Sequence, residues 1–217
     1  MVISDYNTPV MYTDISGYAW WNPFSWSQET KLKVMSGCMA AAGVLFMMLP
    51  GTQVLGAALI GAGVGSYIGG NISSKNGGNY LAGWTGGLIT GAILGAASPI
   101  AGQLYGIAFS TSLGAGTAFV DAIMFTATVG AIGGAVGTLV KQSITGVFNG
   151  SELINNTLMT SGLFTVFGPL TFVSYGIGAA GYLGLGAGVG LLTEVAYDLT
   201  NFLIDCIRDG GEYCELT

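Results

Sequence analysis

Histidine is absent from this 217-residue chain. The commonest general base and a principal zinc ligand are therefore missing. Charge is scarce as well: Asp, Glu, Lys and Arg make up 7% of residues, against about 25% in soluble domains. Lys and Arg together number five, too few and too scattered to neutralise a phosphate backbone, which excludes nucleic acid as a partner. There are three cysteines and no CxxC. Cys38, in an apolar run, reads as a small core residue. Cys206 and Cys214 could close a short C-terminal loop in an oxidising compartment. No GxSxG elbow, Walker A loop or HExxH occurs. Gly176-Ile-Gly-Ala-Ala-Gly181 has dinucleotide-like spacing, but that spacing recurs along the whole chain. The chain is therefore expected to be no enzyme and to hold no metal or cofactor. No secretory leader is evident, because the first charge-free apolar run begins only after Lys33.

What is abundant is glycine, 38 residues, embedded among Ala, Leu, Ile, Val and Phe rather than Ser and Gln. Mean hydropathy is +0.65. Small residues among large apolar ones suit helices packed closely in an apolar medium. Charge-free stretches run over 34–74, 76–120, 122–140 and 153–193, and a bilayer crossing takes roughly 20 apolar residues. Breakers divide them: Pro50-Gly51, the polar turn 73–79, Pro99, the polar connection 141–156 and Gly168-Pro169. The pattern predicts helices near 27–49, 52–73, 80–97, 100–120, 122–147, 152–167 and 170–207. The expected fold is mainly α: polytopic membrane helical hairpins with GxxxG, glycine-zipper packing.

Small residues recur at a spacing of four. Gly61, Gly65 and Gly69 form one stripe, extended backward by Ala57. Gly83, Gly87, Gly91 and Gly95 form a second. Ser98, Gly102, Gly106, Ser110 and Gly114 form a third, and Ala122, Thr126, Gly130, Gly134 and Thr138 a fourth. Gly176, Ala180, Gly184 and Gly188 form a fifth. Residues four apart share one helix face, so each stripe is a groove into which a partner backbone can settle. In water each such Gly costs about 0.8–1 kcal/mol against Ala. In lipid an unpaired amide costs more than that, and the helix forms regardless. Two readings stay open: ordinary tight packing of a polytopic protein, or hairpins able to insert and assemble, as a homo-oligomer among other arrangements.

Between Lys33 and Glu194 the only charges are Lys75, Asp121, Lys141 and Glu152. Lys75 lies in a polar turn and reads as interfacial. Lys141 and Glu152 flank a polar connection. Asp121 either lines a pore, pairs with a lysine, or ends one helix and caps the next. Ser27 and Glu29 make a helix start, with Lys33 one turn on. Trp20, Trp21, Phe24 and Trp26 precede it, either as an interfacial belt or as a packing patch. Residues 194–217 form an acidic tail.

The segment Tyr6-Asn-Thr-Pro-Val-Met-Tyr-Thr-Asp-Ile-Ser-Gly-Tyr18 resembles the closing motif of an Rhs/YD-repeat core. In that family the motif ends a large shell and a variable toxin follows. The resemblance implies that 1–18 is a remnant of the core-closing motif and 19–217 a toxin module, which the residues themselves divide into an aromatic linker, 19–33, and a glycine-rich membrane-inserting domain, 34–217. It implies a secreted weapon of interbacterial competition, active in the target-cell membrane. It also implies the Rhs shell, the lipid bilayer and a cognate membrane immunity protein as partners. Asp14 and Gly17 match the family's self-cleavage motif, whereas Ile15 stands where Pro is usual. The alternative is a non-toxic integral membrane protein: an anchor, a holin-like product or a transporter fragment.

Overall fold

The computed structural model describes residues 26–110, 115–177 and Gly181. Five helices follow in order: α1 (Gln28–Met47), α2 (Gln53–Lys75), α3 (Tyr80–Ser110), α4 (Ala115–Thr145) and α5 (Gly150–Ile177). No strand occurs among the described residues. The fold is mainly α. Four helices, α1 to α4, are long and apolar enough to cross a membrane. At about 1.5 Å per residue even the shortest of them matches a hydrocarbon core of roughly 30 Å.

Local chemistry sets the helix ends. The Ser27 hydroxyl accepts the Thr30 N–H at 3.1 Å, satisfying one of the orphan donors of the first turn. Glu29 and Lys33 pair at 2.6 Å one turn apart. The α1–α2 turn uses Gly51 at φ +84°, a conformation that L side chains resist. Asn79 caps α3 by accepting the Leu81 N–H at 2.9 Å. Asn149 caps α5 by accepting the Glu152 N–H at 3.2 Å.

Two breakers do not break. Pro99 lies inside α3 and Pro169 inside α5, so the expected helices 80–97 and 100–120 become one that runs through to Ser110. Likewise α5 passes the expected stop at 167. The sequence rule takes a proline's missing donor as a helix end. Around Pro99, Ala97, Ala101 and Phe164 pack against the interruption. Neighbouring helices hold the chain on course, as they do for prolines in membrane helices. The expected helix 170–207 is joined to α5 as far as Ile177, and its remainder, Gly181 apart, lies outside the described residues. So do residues 1–25, with the core-closing motif and most of the aromatic linker. Residues 28–33, the end of that linker, are the first turns of α1.

The helices run alternately up and down. Gly61, Gly65 and Gly69 on α2 meet Gly91, Gly87 and Gly83 on α3 in reverse order. Gly43 of α1 faces Gly56 of α2, and Gly63 of α2 faces Ser36 and Ala40. Gly86 on α3 faces Gly137 on α4, and Gly130 and Gly134 on α4 face Ser161 and Asn156 on α5. Each sequential pair is thus an antiparallel hairpin. α3 and α5 run parallel, joined where Tyr105 lies against Gly168.

Candidate membrane-embedded site: glycine seams and a polar-mouthed groove

The α2–α3 seam is built almost wholly of glycine. A methyl group on Gly61 would overlap the carbonyl oxygen of Gly91, one on Gly65 that of Gly87, and one on Gly69 that of Gly83. The overlap is reciprocal, and Gly95 closes on Ala57 in the same way. Backbone therefore lies on backbone over four successive helical turns. Close approach of this kind gains dispersion contacts that larger residues would forbid.

Other seams follow the same rule. On α2, Gly56, Gly63 and Gly70 are buried at a spacing of seven, a face distinct from the stripe of fours. A Cβ on Gly56 would lie 2.7 Å from the Gly43 carbonyl oxygen, and one on Gly63 2.5 Å from that of Ser36. On α3, Gly86 would meet the Gly137 oxygen at 2.8 Å. On α4, Gly130 would meet Ser161 Cα at 2.7 Å and Gly134 the Asn156 oxygen at 2.7 Å. Gly43, Gly56, Gly63, Gly86 and Gly137 were not singled out by the four-residue spacing. The seven-residue step from Gly56 to Gly63 is the signal that marks the α1-facing side, while the next member, Gly70, lies against the Tyr80 ring of α3. Gly102 is buried and Gly106 half-buried on α3. Gly184 and Gly188 lie outside the described residues.

Polar side chains tie the seams together. Trp84 donates its indole N–H to Ser36 Oγ at 2.8 Å, and Ser36 shares a hydrogen bond of 2.7 Å with Ser66. This joins α1, α2 and α3. Thr90 donates to the Gly133 carbonyl at 3.0 Å, Ser161 to that of Ala127 at 2.8 Å, and Asn156 to Thr138 Oγ1 at 3.1 Å. Such interhelical bonds hold membrane bundles where hydrocarbon offers polar groups no other partner.

A groove of about 260 Å³ runs between α2 and α5 over the backs of α3 and α4. Its walls are largely glycine, Ile60, Val64, Leu163 and Phe167; Lys141, Glu152, Asn156 and Thr138 line its polar part. There Lys141 Nζ meets Glu152 Oε1 at 2.6 Å. Gln142, only 4% exposed, donates its amide to the Asn149 carbonyl at 2.7 Å and to Glu152 Oε2 at 3.3 Å. Sequence placed Lys141 and Glu152 beside a polar connection. Their direct pairing across eleven residues follows from the tight α4–α5 turn, where Gly146 adopts φ +70°.

The outer surface is apolar. Leu45 is 66% exposed, Met48 73% and Val166 70%, with Leu158, Met124 and Ile132 also bare. A water-facing monomer rarely shows so much continuous apolar area. Asp121 does not end a helix: it is exposed in the second turn of α4, whose chain continues from Ala115 through Thr145. The cap reading fails because Phe119 and Val120 continue the helix on its N-terminal side. Cys38 is exposed on α1, not a core residue, because α1 buries only the Ser36–Gly43 face. Cys206 and Cys214 lie outside the described residues, as do Asp14, Gly17, Trp20 and Trp21. Trp26 is half-buried. Lys75 is exposed at the last residue of α2. No group of three or more metal-ligating residues forms among the described residues.

No family model, curated protein or solved structure is detectably similar to this chain.

Proposed function

We propose that this chain is an integral membrane protein that acts as a membrane-inserting, depolarising toxin domain at the end of an Rhs-type shell protein. One observation carries the membrane part: four long apolar helices, sealed by backbone-on-backbone glycine seams, with large apolar side chains facing outward. The toxin part rests on the resemblance of Tyr6–Tyr18 to the core-closing motif. It also fits a chain with no histidine, since nuclease and protease cargoes commonly rely on an imidazole. The bundle would lodge in the bilayer of the target cell and collapse its ion gradients, and a membrane-bound immunity protein would protect the producer. The groove between α2 and α5, with Lys141 and Glu152 in its polar part, is the feature from which a leak path would be built. Its walls are too apolar for one copy to pass a hydrated ion, so conduction calls for several copies.

A second reading has its own support. The stripes of α2 and α3 are occupied by each other, so they are not free to join separate copies. That suits a static membrane protein such as an anchor. The discriminating experiment is induction in a bacterial host carrying a potential-sensitive dye. Dye release within minutes of induction, before growth stops, is the expected outcome. Normal growth and steady potential, with the protein recovered in the membrane fraction, would favour the static protein.

A further inference from the structure

The up-and-down topology sorts the charges, which are scattered in sequence. Lys31 and Lys33 lie at the start of α1, Lys75 at the end of α2 and Lys141 near the end of α4. With antiparallel neighbours these positions share one end of the bundle. Glu29 and Glu152 lie there too, each paired with a lysine. At the other end Asp121 is the only charged residue among the described ones. The α1–α2 turn there, Met48-Leu-Pro-Gly-Thr52, is uncharged, and so is the sequence Thr111-Ser-Leu-Gly114 between α3 and α4. Every lysine of the described chain is thus at the base of the hairpins, and the tips carry none.

We propose that the hairpins enter the bilayer tips first, and that the lysine end stays in the headgroup layer on the side from which the protein approaches. This rests on the membrane-inserting reading but not on toxicity. Carrying the four ammonium groups through hydrocarbon is expensive, whereas the uncharged α1–α2 turn crosses with only its backbone to satisfy and the α3–α4 tip brings across a single charge, Asp121. Gly51 and Pro50 make that turn compact, and Met48 and Leu49 beside it are exposed and apolar. Once inserted, the lysines lie at headgroup depth, where anionic phospholipids attract them. Acidic partners do little to offset this bias, because lysine and arginine dominate topology. The bundle therefore has one orientation, set by where it comes from: lysine end outward when delivered from outside a cell, inward when made within it.

The test uses the full chain with Cys38, Cys206 and Cys214 replaced by Ser and one new cysteine, Met48→Cys at a tip or Ser74→Cys at the base. Protein is added outside sealed vesicles of phosphatidylethanolamine and phosphatidylglycerol, and the vesicles are floated and treated with a membrane-impermeant maleimide. The base cysteine should label at least about tenfold faster than the tip cysteine, which becomes reactive only in detergent, given the cost of moving lysine across the core. Equal labelling, a reactive tip with a protected base, or failure to enter the vesicles would overturn the proposal. A second pair guards against misfolding: Leu49→Lys should cut carbonate-resistant insertion about tenfold while Ser74→Lys leaves it unchanged. Equal insertion of the two would also overturn it. Correct polarity without ion leakage would sink the depolarising function and leave this proposal standing. Leakage with the tip outside would do the reverse.

Discussion

Replacing Gly87 and Gly91 together by Leu should destroy the bundle. Each Leu would drive carbon atoms into the facing backbone of Gly65 and Gly61, where even a methyl group overlaps the carbonyl oxygen. Backbone cannot swing aside as a flexible side chain can, so α2 and α3 would have to separate along their whole seam. Overpacking in an adaptable core costs about 1–3 kcal/mol; two overlaps against rigid backbone exceed that, and total stabilities are only about 5–15 kcal/mol. The measurement is resistance to unfolding by SDS in mixed micelles, followed by helix–helix proximity labels on α2 and α3. Gly162 supplies the control, since nothing lies within 4 Å of a Cβ there. Neither Gly162→Leu nor Gly162→Ala should lower resistance to unfolding, and each should raise helix stability by up to about 1 kcal/mol through propensity alone. If Gly87→Leu/Gly91→Leu unfolds like Gly162→Leu, the seam is not the organising contact.

The second large effect concerns the polar part of the groove. Lys141→Met should destabilise the protein more than Lys141→Met combined with Glu152→Gln. The single change leaves a carboxylate facing the groove with only the Gln142 amide and no cation. Breaking a fully buried pair costs about 3–5 kcal/mol. Both side chains here keep more than a quarter of their surface, 28% and 29%, so about 1–3 kcal/mol is expected after screening. The double change removes both charges and should recover at least half of the loss, since the stranded charge carries most of it. Urea or SDS unfolding of the three variants forms the cycle. A single variant as stable as the parent would show that the pair is a solvated surface contact.

The sequence spoke most plainly where one physical rule acts alone. Helix existence, the Ser27 start and the presence of breaks within 73–79 and 141–156 followed from charge-free length and polar punctuation, although the breaks themselves are only 76–79 and 146–149. The two α2–α3 stripes were visible as stripes, but not as partners of one another. Only the antiparallel register matches Gly61 with Gly91 and Gly69 with Gly83. Helix division at Pro99 and Pro169 was misread because local rules assume water on the far side of a broken hydrogen bond. At Pro99, Ala97, Ala101 and Phe164 occupy that place. The cap alternative for Asp121 fails for a related reason, as a charge inside an apolar run resembles a boundary. The second face of α2 does not show in a spacing of four, because Gly56, Gly63 and Gly70 repeat by sevens. The sorting of four lysines to one end was hidden altogether. It is a property of topology, and no window along the chain contains it.

Ion leakage from sealed vesicles decides whether the bundle depolarises a membrane. Vesicles loaded with potassium, diluted into sodium and carrying purified full-length protein should lose their valinomycin-set potential within seconds to minutes. The Gly87→Leu/Gly91→Leu protein at equal lipid-bound amount should leave the potential intact. Vesicles that hold their potential while floating with the wild-type protein, carbonate-resistant and helical, would contradict a depolarising function and leave an inert membrane bundle.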